Sequence, residues 1–418
     1  MLNQFLLFFS LHYLAYGHEN VLALYESETD LTNESEFDKA LETLSDVTRT
    51  PRDQTAALAA YQDDSAGDIS IQEMSTEIFS ASSAWSNQNI HLIFAEYYNG
   101  NHNFADDFTL AAIQGTGDFA AWDDASLREL ATKGAAYLNT LQYVYGLLQF
   151  GISECPSLDA GIYWDKAWAY FAGSAEGEDG SGSGYSAYAL ADKRCPQFDT
   201  CVAGTSLATT NENARASWLA GRAALELGVC DSADASFQNI LKQSLIPLIQ
   251  GSLREAFEVD PAKGAAEADG KIEIAEMWAF VFPLLPLLNE CDASVASTIR
   301  DNMFINADPI LQDGFDSVKT AFESLYSCLG ISCADVGAMK TCGSTGNELC
   351  WQPCSDIISS SLDDCDDNEG RLRSKLRKLT ILTIVGWILF CLVACSLLFL
   401  IITQKKKLSA PSLEFSKC

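Results

Sequence analysis

The stretch DASLRELATKGAAYLNTLQYVYGLLQF, residues 124–150, decides the fold class. Apolar residues such as Leu127, Leu130 and Leu138 recur in it at the period that places side chains on one face of an α-helix. The same pattern predicts helices over residues 36–47, 211–228, 233–257, 272–288, 293–302 and 310–329. Asn33 precedes Glu36 by three positions, so we expect Asn33 to cap the first of these helices. Alternation typical of strands is missing, and we predict an all-α protein.

Two parts of the chain resemble each other weakly. The apolar run 143–150 leads into Trp168-Ala-Tyr, and the run 247–254 leads into Trp278-Ala-Phe. A duplicated helical bundle would explain the correspondence. Chance similarity between two apolar helices is the alternative.

Both ends of the chain carry targeting signals. Residues 5–15 are apolar but too few to span a bilayer, and small residues follow, so we predict a signal peptide over residues 1–17. Residues 380–402 contain no charge and are long enough to span. Basic residues flank that run on both sides, so the signal peptide sets the orientation. We therefore expect a type I plasma-membrane protein with an extracellular ectodomain and a cytoplasmic tail, residues 403–418.

The ectodomain divides by composition. We predict a helical body over residues 18–327, a Cys-rich disulfide module over 328–370, and a basic juxtamembrane collar over 371–379 that lies on lipid headgroups. Five cysteines lie in the body, namely Cys155, Cys195, Cys201, Cys230 and Cys291. Because five is odd, we expect one unpaired thiol or a cross-link between chains. Asn33-Glu34-Ser35 predicts N-glycosylation of Asn33.

The charge of the chain limits its partners. The formal net charge is −31. Residues 371–418 hold nine Lys and Arg and one Glu, a charge of +8, so residues 1–370 carry −39. Such a surface repels nucleic acid and attracts cations or basic partners. Neither a nucleophile elbow, a phosphate loop, a zincin helix nor a dinucleotide fingerprint occurs in the sequence, so we predict that the chain is not an enzyme.

Oxygen donors are abundant, with 57 carboxylates and 14 tyrosines, and such donors suit hard cations. Beside the glycine-rich loop, residues 173–184, Tyr185, Tyr188 and Asp192 have the spacing of one helix face. We predict that these three bind a metal and that Lys193 and Arg194 hold an anion. Second-choice metal ligands are His91, Tyr97, Tyr98 and Asp107. The alternative is that the tyrosines are core residues and that residues 192–194 form a solvated turn.

The same residues belong to a recognisable block. The segments WDKAWAYFAGSAEG (164–177), GSGSG (180–184) and YALADKRC (188–195) resemble the low-iron-inducible periplasmic protein family of algae, which includes the diatom phytotransferrins. Further similar positions are Gly115-Thr-Gly117, Arg128, Lys133-Gly134, residues 247–254 and residues 276–291. The resemblance covers roughly residues 85–305, and its specificity comes from the order of the blocks.

The resemblance implies a cell-surface or periplasmic role in iron assimilation. In phytotransferrins this means that ferric iron is bound together with carbonate and taken in with the membrane. We therefore expect Fe(III) and carbonate as ligands, and endocytic or reductase partners. Two other functions stay open: a surface interaction or cell-wall protein that binds no metal, and a carbon-dioxide-responsive surface protein.

Overall fold

The chain is mostly helical, as its periodicity predicts. The structure is a computed structural model that describes residues 20–354 except 50, 66, 77–87, 158, 264–269 and 341–347. The α-helices are α1 (Thr32–Ser35), α2 (Phe37–Val47), α3 (Gln54–Gln62), α4 (Asn89–Tyr97), α5 (Phe104–Gln114), α6 (Asp124–Lys133), α7 (Thr140–Glu154), α8 (Ala160–Ala172), α9 (Ala187–Phe198), α10 (Thr209–Glu226), α11 (Cys230–Val259), α12 (Lys271–Val281), α13 (Leu285–Cys291), α14 (Ala293–Met303), α15 (Phe315–Leu325) and α16 (Cys333–Val336). Two short strands, β1 (Val21–Leu22) and β2 (Tyr25–Glu26), form an antiparallel hairpin that the sequence did not predict.

The stretch 124–150 is helical but not uniform. A π-helical segment, Gly134–Asn139, joins α6 to α7. The Thr140 hydroxyl donates to the carbonyl of Ala135, five residues earlier, at 2.9 Å, which supports the wider turn. The residues that follow Lys133 therefore take directions that a regular α-helix would not give them.

Three predicted helix boundaries are wrong. The predicted helix 272–288 is two helices, α12 and α13, because Pro283 between them has no backbone N–H to donate. The predicted helix 310–329 starts only at Phe315, after Gly314 with its φ of 77°. Asn33 does not cap the helix that begins at Phe37, since it lies inside α1. Its side chain is exposed, which suits the predicted glycosylation.

One continuous apolar core joins the helices. At its centre the side chains of Trp164, Trp168 and Trp218 are fully buried. The indole N–H of Trp164 donates to the carbonyl of Trp218 at 2.8 Å, and the indole of Trp218 donates back to Trp164 at 3.2 Å. Gly221 lets α10 approach this centre, because a Cβ there would overlap the Trp164 ring. The second tryptophan of the predicted repeat, Trp278 on α12, is also buried, but the duplication itself stays a prediction.

Disulfides account for all five cysteines of the predicted body. Cys155 pairs with Cys230, Cys195 with Cys201, and Cys291 with Cys328. The prediction of an unpaired or intermolecular thiol among the five is therefore wrong, because Cys291 bonds to a cysteine that we had assigned to the Cys-rich module. Within that stretch the structure also shows Cys333 bonded to Cys354.

The predicted membrane features lie mostly outside the described residues. These features are the signal peptide (1–17), the collar (371–379), the spanning helix (380–402) and the tail (403–418). Within the described ranges, no single helix has both the length and the apolar composition to cross a bilayer, and only the bent pair α12 and α13 meets the criteria when taken together.

Candidate functional site

The glycine-rich loop, residues 173–184, is held from its inner side by two buried carboxylates. Asp38 accepts hydrogen bonds from the Ser174 hydroxyl at 2.8 Å and from the backbone N–H of Ala175 at 2.6 Å. Glu176 accepts one from the N–H of Gly184 at 2.9 Å, while its second oxygen, Oε2, has no partner among the described residues. Burial raises the pKa of Glu176 to about 7. Two buried acids thus order the loop through hydrogen bonds.

A second element holds the loop from the N-terminal side. We call residues 20–30, which include β1 and β2, the N-terminal strap. The backbone N–H groups of Ala23 and Leu24 donate to the carbonyls of Gly177 and Glu178, each at 2.8 Å. The strap is anchored in turn by the indole of Trp168, which donates to the Leu22 carbonyl at 2.8 Å. Residues just after the predicted signal peptide therefore fix the position of the loop.

The outer side of the loop faces a cavity of about 660 Å³. The π-helical segment and helices α6, α9 and α12 supply its other walls. Its charged and phenolic lining consists of four cations, three acids and two tyrosines: Arg128, Lys133, Lys193, Arg194, Glu129, Asp192, Glu276, Tyr137 and Tyr185. On a chain with 57 acidic and 26 basic residues, a cavity with more cations than acids is a marked departure from the average surface.

Most of these charges belong to one network on the cavity wall. Lys133 pairs with Glu129 and, at 2.8 Å, with Glu276. Arg254 on α11 pairs with Glu255 and lies 3.8 Å from Glu276. Burial alone would raise the pKa of Glu276, but the charge of Lys133 lowers it well below its usual range. Burial raises the pKa of Glu255, which also faces Glu276. The network therefore holds Glu276 ionised and favours the neutral form of Glu255.

The two predicted anion-binding residues have different environments. Arg194 is 1% exposed, and its guanidinium is engaged by Gln197 at 2.8 Å and by Glu255 at 3.4 Å. Lys193 is exposed at the cavity and makes no ion pair within the part of the chain that the structure describes. Partial desolvation inside the cavity, and then the charges of Arg194 and Lys133, lower the pKa of Lys193. Lys193 is therefore the cavity cation that could bind an anion without first breaking an ion pair among the described residues.

Two of the three first-choice metal ligands, Tyr185 and Asp192, line the cavity, and the third, Tyr188, does not. Ser186 caps α9, so Tyr185 precedes the helix and the expectation of one shared helix face is wrong for it. Tyr185 is half-buried and lines the cavity, as does Asp192. Asp192 accepts bonds from Ala208 and Asn211 on Oδ1, which leaves Oδ2 outside both bonds, and burial raises its pKa to about 6.

Tyr188 takes a different position. Its side chain is 1% exposed, and its ring packs edge-on against Trp168 and Phe171. Its hydroxyl lies against Gly180, where a Cβ would overlap it. Tyr188 is not among the residues that line the cavity. It supports the loop from the core side.

The second-choice ligands lie around α4 and α5, away from the cavity lining. His91 Nε2 lies 2.9 Å from Nδ1 of His102, and burial lowers the pKa of His91 to about 4. The Tyr98 hydroxyl donates to the carbonyl of Phe282 at 2.7 Å. Exposed Asp107 accepts from Asn101 at 2.8 Å. The fourth residue, Tyr97, is half-buried beside Arg300.

Among the described residues, no three His, Cys, Asp or Glu side chains come together in an arrangement that could hold a metal ion. A metal on this part of the chain would therefore need phenols or an exogenous anion as additional ligands. Tyr137, the second phenol of the cavity, is not predicted from the sequence. Its one local signal is Gly134 inside an otherwise regular helical pattern, since a glycine there often accompanies a close approach or an irregular turn.

The fold and the cavity define a helical, disulfide-bonded protein with a charged cavity beside a glycine-rich loop. The model of the low iron-inducible periplasmic protein family matches residues 49–357, more than half of the chain, and the chain belongs to this family. This confirms the resemblance inferred from the sequence blocks. No curated protein matches the chain, and no solved structure does. The match excludes the strap, α1 and α2, although Asp38 on α2 holds the loop.

Proposed function

We propose that this chain captures ferric iron at the cell surface together with a synergistic anion such as carbonate. The observation that carries the proposal is the shared cavity of Tyr185, Asp192 and Lys193. A phenol and a carboxylate are hard oxygen donors, which suit a trivalent cation. Lys193 would hold the anion, since it is the cavity cation without an ion pair in the described residues. Membership of a low-iron-inducible family agrees with this role.

The charges of the cavity explain why an anion would be required. A ferric ion placed beside Lys193, which has no ion pair in the described residues, would be repelled by its ammonium group. A carbonate between the metal and Lys193 would turn that repulsion into attraction on each side. This arrangement also agrees with the shortage of clustered His, Cys, Asp and Glu ligands, because carbonate oxygens would fill coordination positions that the chain leaves open.

The proposal places the chain among binding proteins, not enzymes. The predicted spanning helix, residues 380–402, would keep the bound iron at the plasma membrane. Uptake of the bound iron would involve an endocytic or reductase partner.

The test is an iron titration of the full-length chain in detergent. Chelated Fe³⁺ is added with and without bicarbonate, and the ferric–phenolate charge-transfer absorbance is recorded. We expect saturable colour that requires bicarbonate. Tyr185→Phe and Lys193→Gln should each weaken binding at least tenfold. Tyr163→Phe is the matched control, because Tyr163 is half-buried, packs against Phe150 and does not line the cavity. Absence of colour and of saturable binding in the wild-type chain would refute the proposal.

One observation favours a second candidate, an anion-binding surface protein that takes no metal. Cations outnumber acids in the cavity lining. Such a protein would bind bicarbonate by itself, with an affinity that Lys193→Gln lowers and Tyr185→Phe does not. Calorimetry with bicarbonate in the absence of iron separates the two candidates.

A further inference from the structure

We infer that Tyr137, on the π-helical segment, is a second phenolate ligand for the hard trivalent cation in the same cavity. The inference rests on the proposed function and adds a ligand to it. Tyr137 and Tyr185 line the cavity together, one from the helical wall and one from the end of the glycine-rich loop.

The hydroxyl of Tyr137 is available, in contrast to those of the structural tyrosines. Five other tyrosines form hydrogen bonds through their hydroxyls with protein groups: Tyr25 with Asp165, Tyr61 with Asp106, Tyr98 with Phe282, Tyr145 with Ser244 and Tyr170 with Gly67. Tyr137 is half-buried and makes no hydrogen bond to the residues that the structure describes. A phenol that faces a cavity without a protein partner can donate to, or bind, a ligand there.

The π-helical segment fixes the direction of the Tyr137 side chain. π-turns are rare and occur frequently at functional sites, because they change which way the following side chains point. Gly134 at its start packs so closely on α5 that a Cβ would lie 2.8 Å from the Thr109 hydroxyl. At its end, the side-chain amide of Asn139 lies 2.7 Å from the hydroxyls of Tyr61, Ser75 and Thr109. Both ends of the segment are therefore anchored in the core.

Neighbouring groups fix the ring plane of Tyr137 and influence how readily its phenol loses a proton. The ring stacks on Phe280 of α12, with centroids 5.7 Å apart and planes 21° from parallel. Burial raises the pKa of the phenol, while the charges of Lys133 and Arg194 oppose that rise. A trivalent cation in the cavity would add a stronger opposing charge at a shorter distance. The phenolate would then form only when the metal binds.

The charges of the proposed complex balance. On binding, each phenol loses one proton to solvent, and a metal–oxygen bond replaces the O–H bond. Two phenolates from Tyr137 and Tyr185, with the carboxylate of Asp192, neutralise a trivalent ion. An added bicarbonate, with one negative charge, is then matched by Lys193. With a single phenolate and bicarbonate, the complex would keep one positive charge.

The experiment counts phenolates on the full-length chain. Ga³⁺, a trivalent ion without redox chemistry, is added as a chelate with bicarbonate, and tyrosinate formation is measured by ultraviolet difference absorbance. We expect two tyrosinates per bound ion in the wild-type chain, one in Tyr137→Phe and one in Tyr185→Phe. Tyr163→Phe should still give two. Thermal unfolding of Tyr137→Phe checks that the fold is retained.

The outcomes distinguish the two proposals. If the wild-type chain binds Ga³⁺ and Tyr137→Phe keeps two tyrosinates with affinity within twofold, the Tyr137 inference is overturned and the proposed function stands. If the wild-type chain binds no trivalent ion, both fail. Should Tyr137→Phe not fold, nitration of the wild-type chain replaces it. The inference then requires that Ga³⁺ protects Tyr137 from nitration, and unchanged nitration overturns it.

Discussion

The guanidinium of Arg194 on α9 lies 3.4 Å from the carboxylate of Glu255 on α11, and neither side chain is more than 2% exposed. The pair links the cavity wall to α11, the longest helix among the described residues. Removing Arg194 takes away this contact and the hydrogen bond to Gln197, while Glu255 keeps its pairing with Arg254, and a hydrogen bond made by a charged group contributes about 1.5–3 kcal/mol. We expect Arg194→Met to lower the free energy of unfolding by about that amount, measured by denaturant titration.

Arg49→Met is the control for this prediction. Arg49 pairs with Asp46 at 3.0 Å on an exposed helix end, where both side chains are more than half exposed. Exposed pairs contribute about 0–1 kcal/mol. Equal losses for Arg194→Met and Arg49→Met would show that the buried pair does not stabilise the wall.

The pH dependence of stability should report on Glu176. Its pKa rises from 4.5 to about 7 on burial, so the folded chain binds more protons than the unfolded chain between these values. Stability from this group is therefore greatest below pH 4.5 and is lost as the pH rises through about 7. The free energy of unfolding of Glu176→Gln, measured by denaturant titration, should equal that of the wild type at low pH. At pH 8 it should be higher by up to roughly 3 kcal/mol. Exposed Glu42→Gln should show no such difference, and a pH-independent effect of Glu176→Gln would contradict the prediction.

The disulfides should differ in how much they stabilise the fold, because they close loops of different length. Cys155 and Cys230 are 75 residues apart, whereas Cys195 and Cys201 are 6 apart. Loop-closure entropy then gives about 4 kcal/mol for the longer link and about 2 kcal/mol for the shorter one. Unfolding of the two double alanine variants under oxidising conditions tests the order. A larger loss for the shorter link would show that packing at Cys195 outweighs chain entropy.

The N-terminal strap should control the glycine-rich loop. The Tyr25 hydroxyl donates to buried Asp165 at 2.6 Å, and a hydrogen bond to a charged group contributes about 1.5–3 kcal/mol. We expect Tyr25→Phe to lose that stability and to speed hydrogen exchange at the amides of Ala23 and Leu24, which bond to the loop. The Tyr185 phenol makes no hydrogen bond to the described residues. Tyr185→Phe should therefore change neither the stability nor the hydrogen exchange of Ala23 and Leu24. Unchanged hydrogen exchange in Tyr25→Phe would show that the strap does not control the loop.

The site was predicted from the sequence only in part. The glycine-rich loop with Tyr185, Asp192, Lys193 and Arg194 was found because these residues are neighbours in the chain. Arg128, Lys133 and Glu276 were noticed only as positions of resemblance, since a network between helices leaves no local pattern. Tyr137 was missed because its direction depends on a π-turn that core contacts of Gly134 and Asn139 impose.

What the sequence alone determined was the helical class, the family and the segment that carries the loop, because periodicity, block order and glycine density are properties of neighbouring residues. Three features were decided by the tertiary structure alone. They are the set of oxygen donors that share a cavity, the contact of Arg194 with Glu255, and the bond between Cys291 and Cys328. The physical reason is that such contacts join residues far apart in the chain, and their geometry follows from how the helices pack.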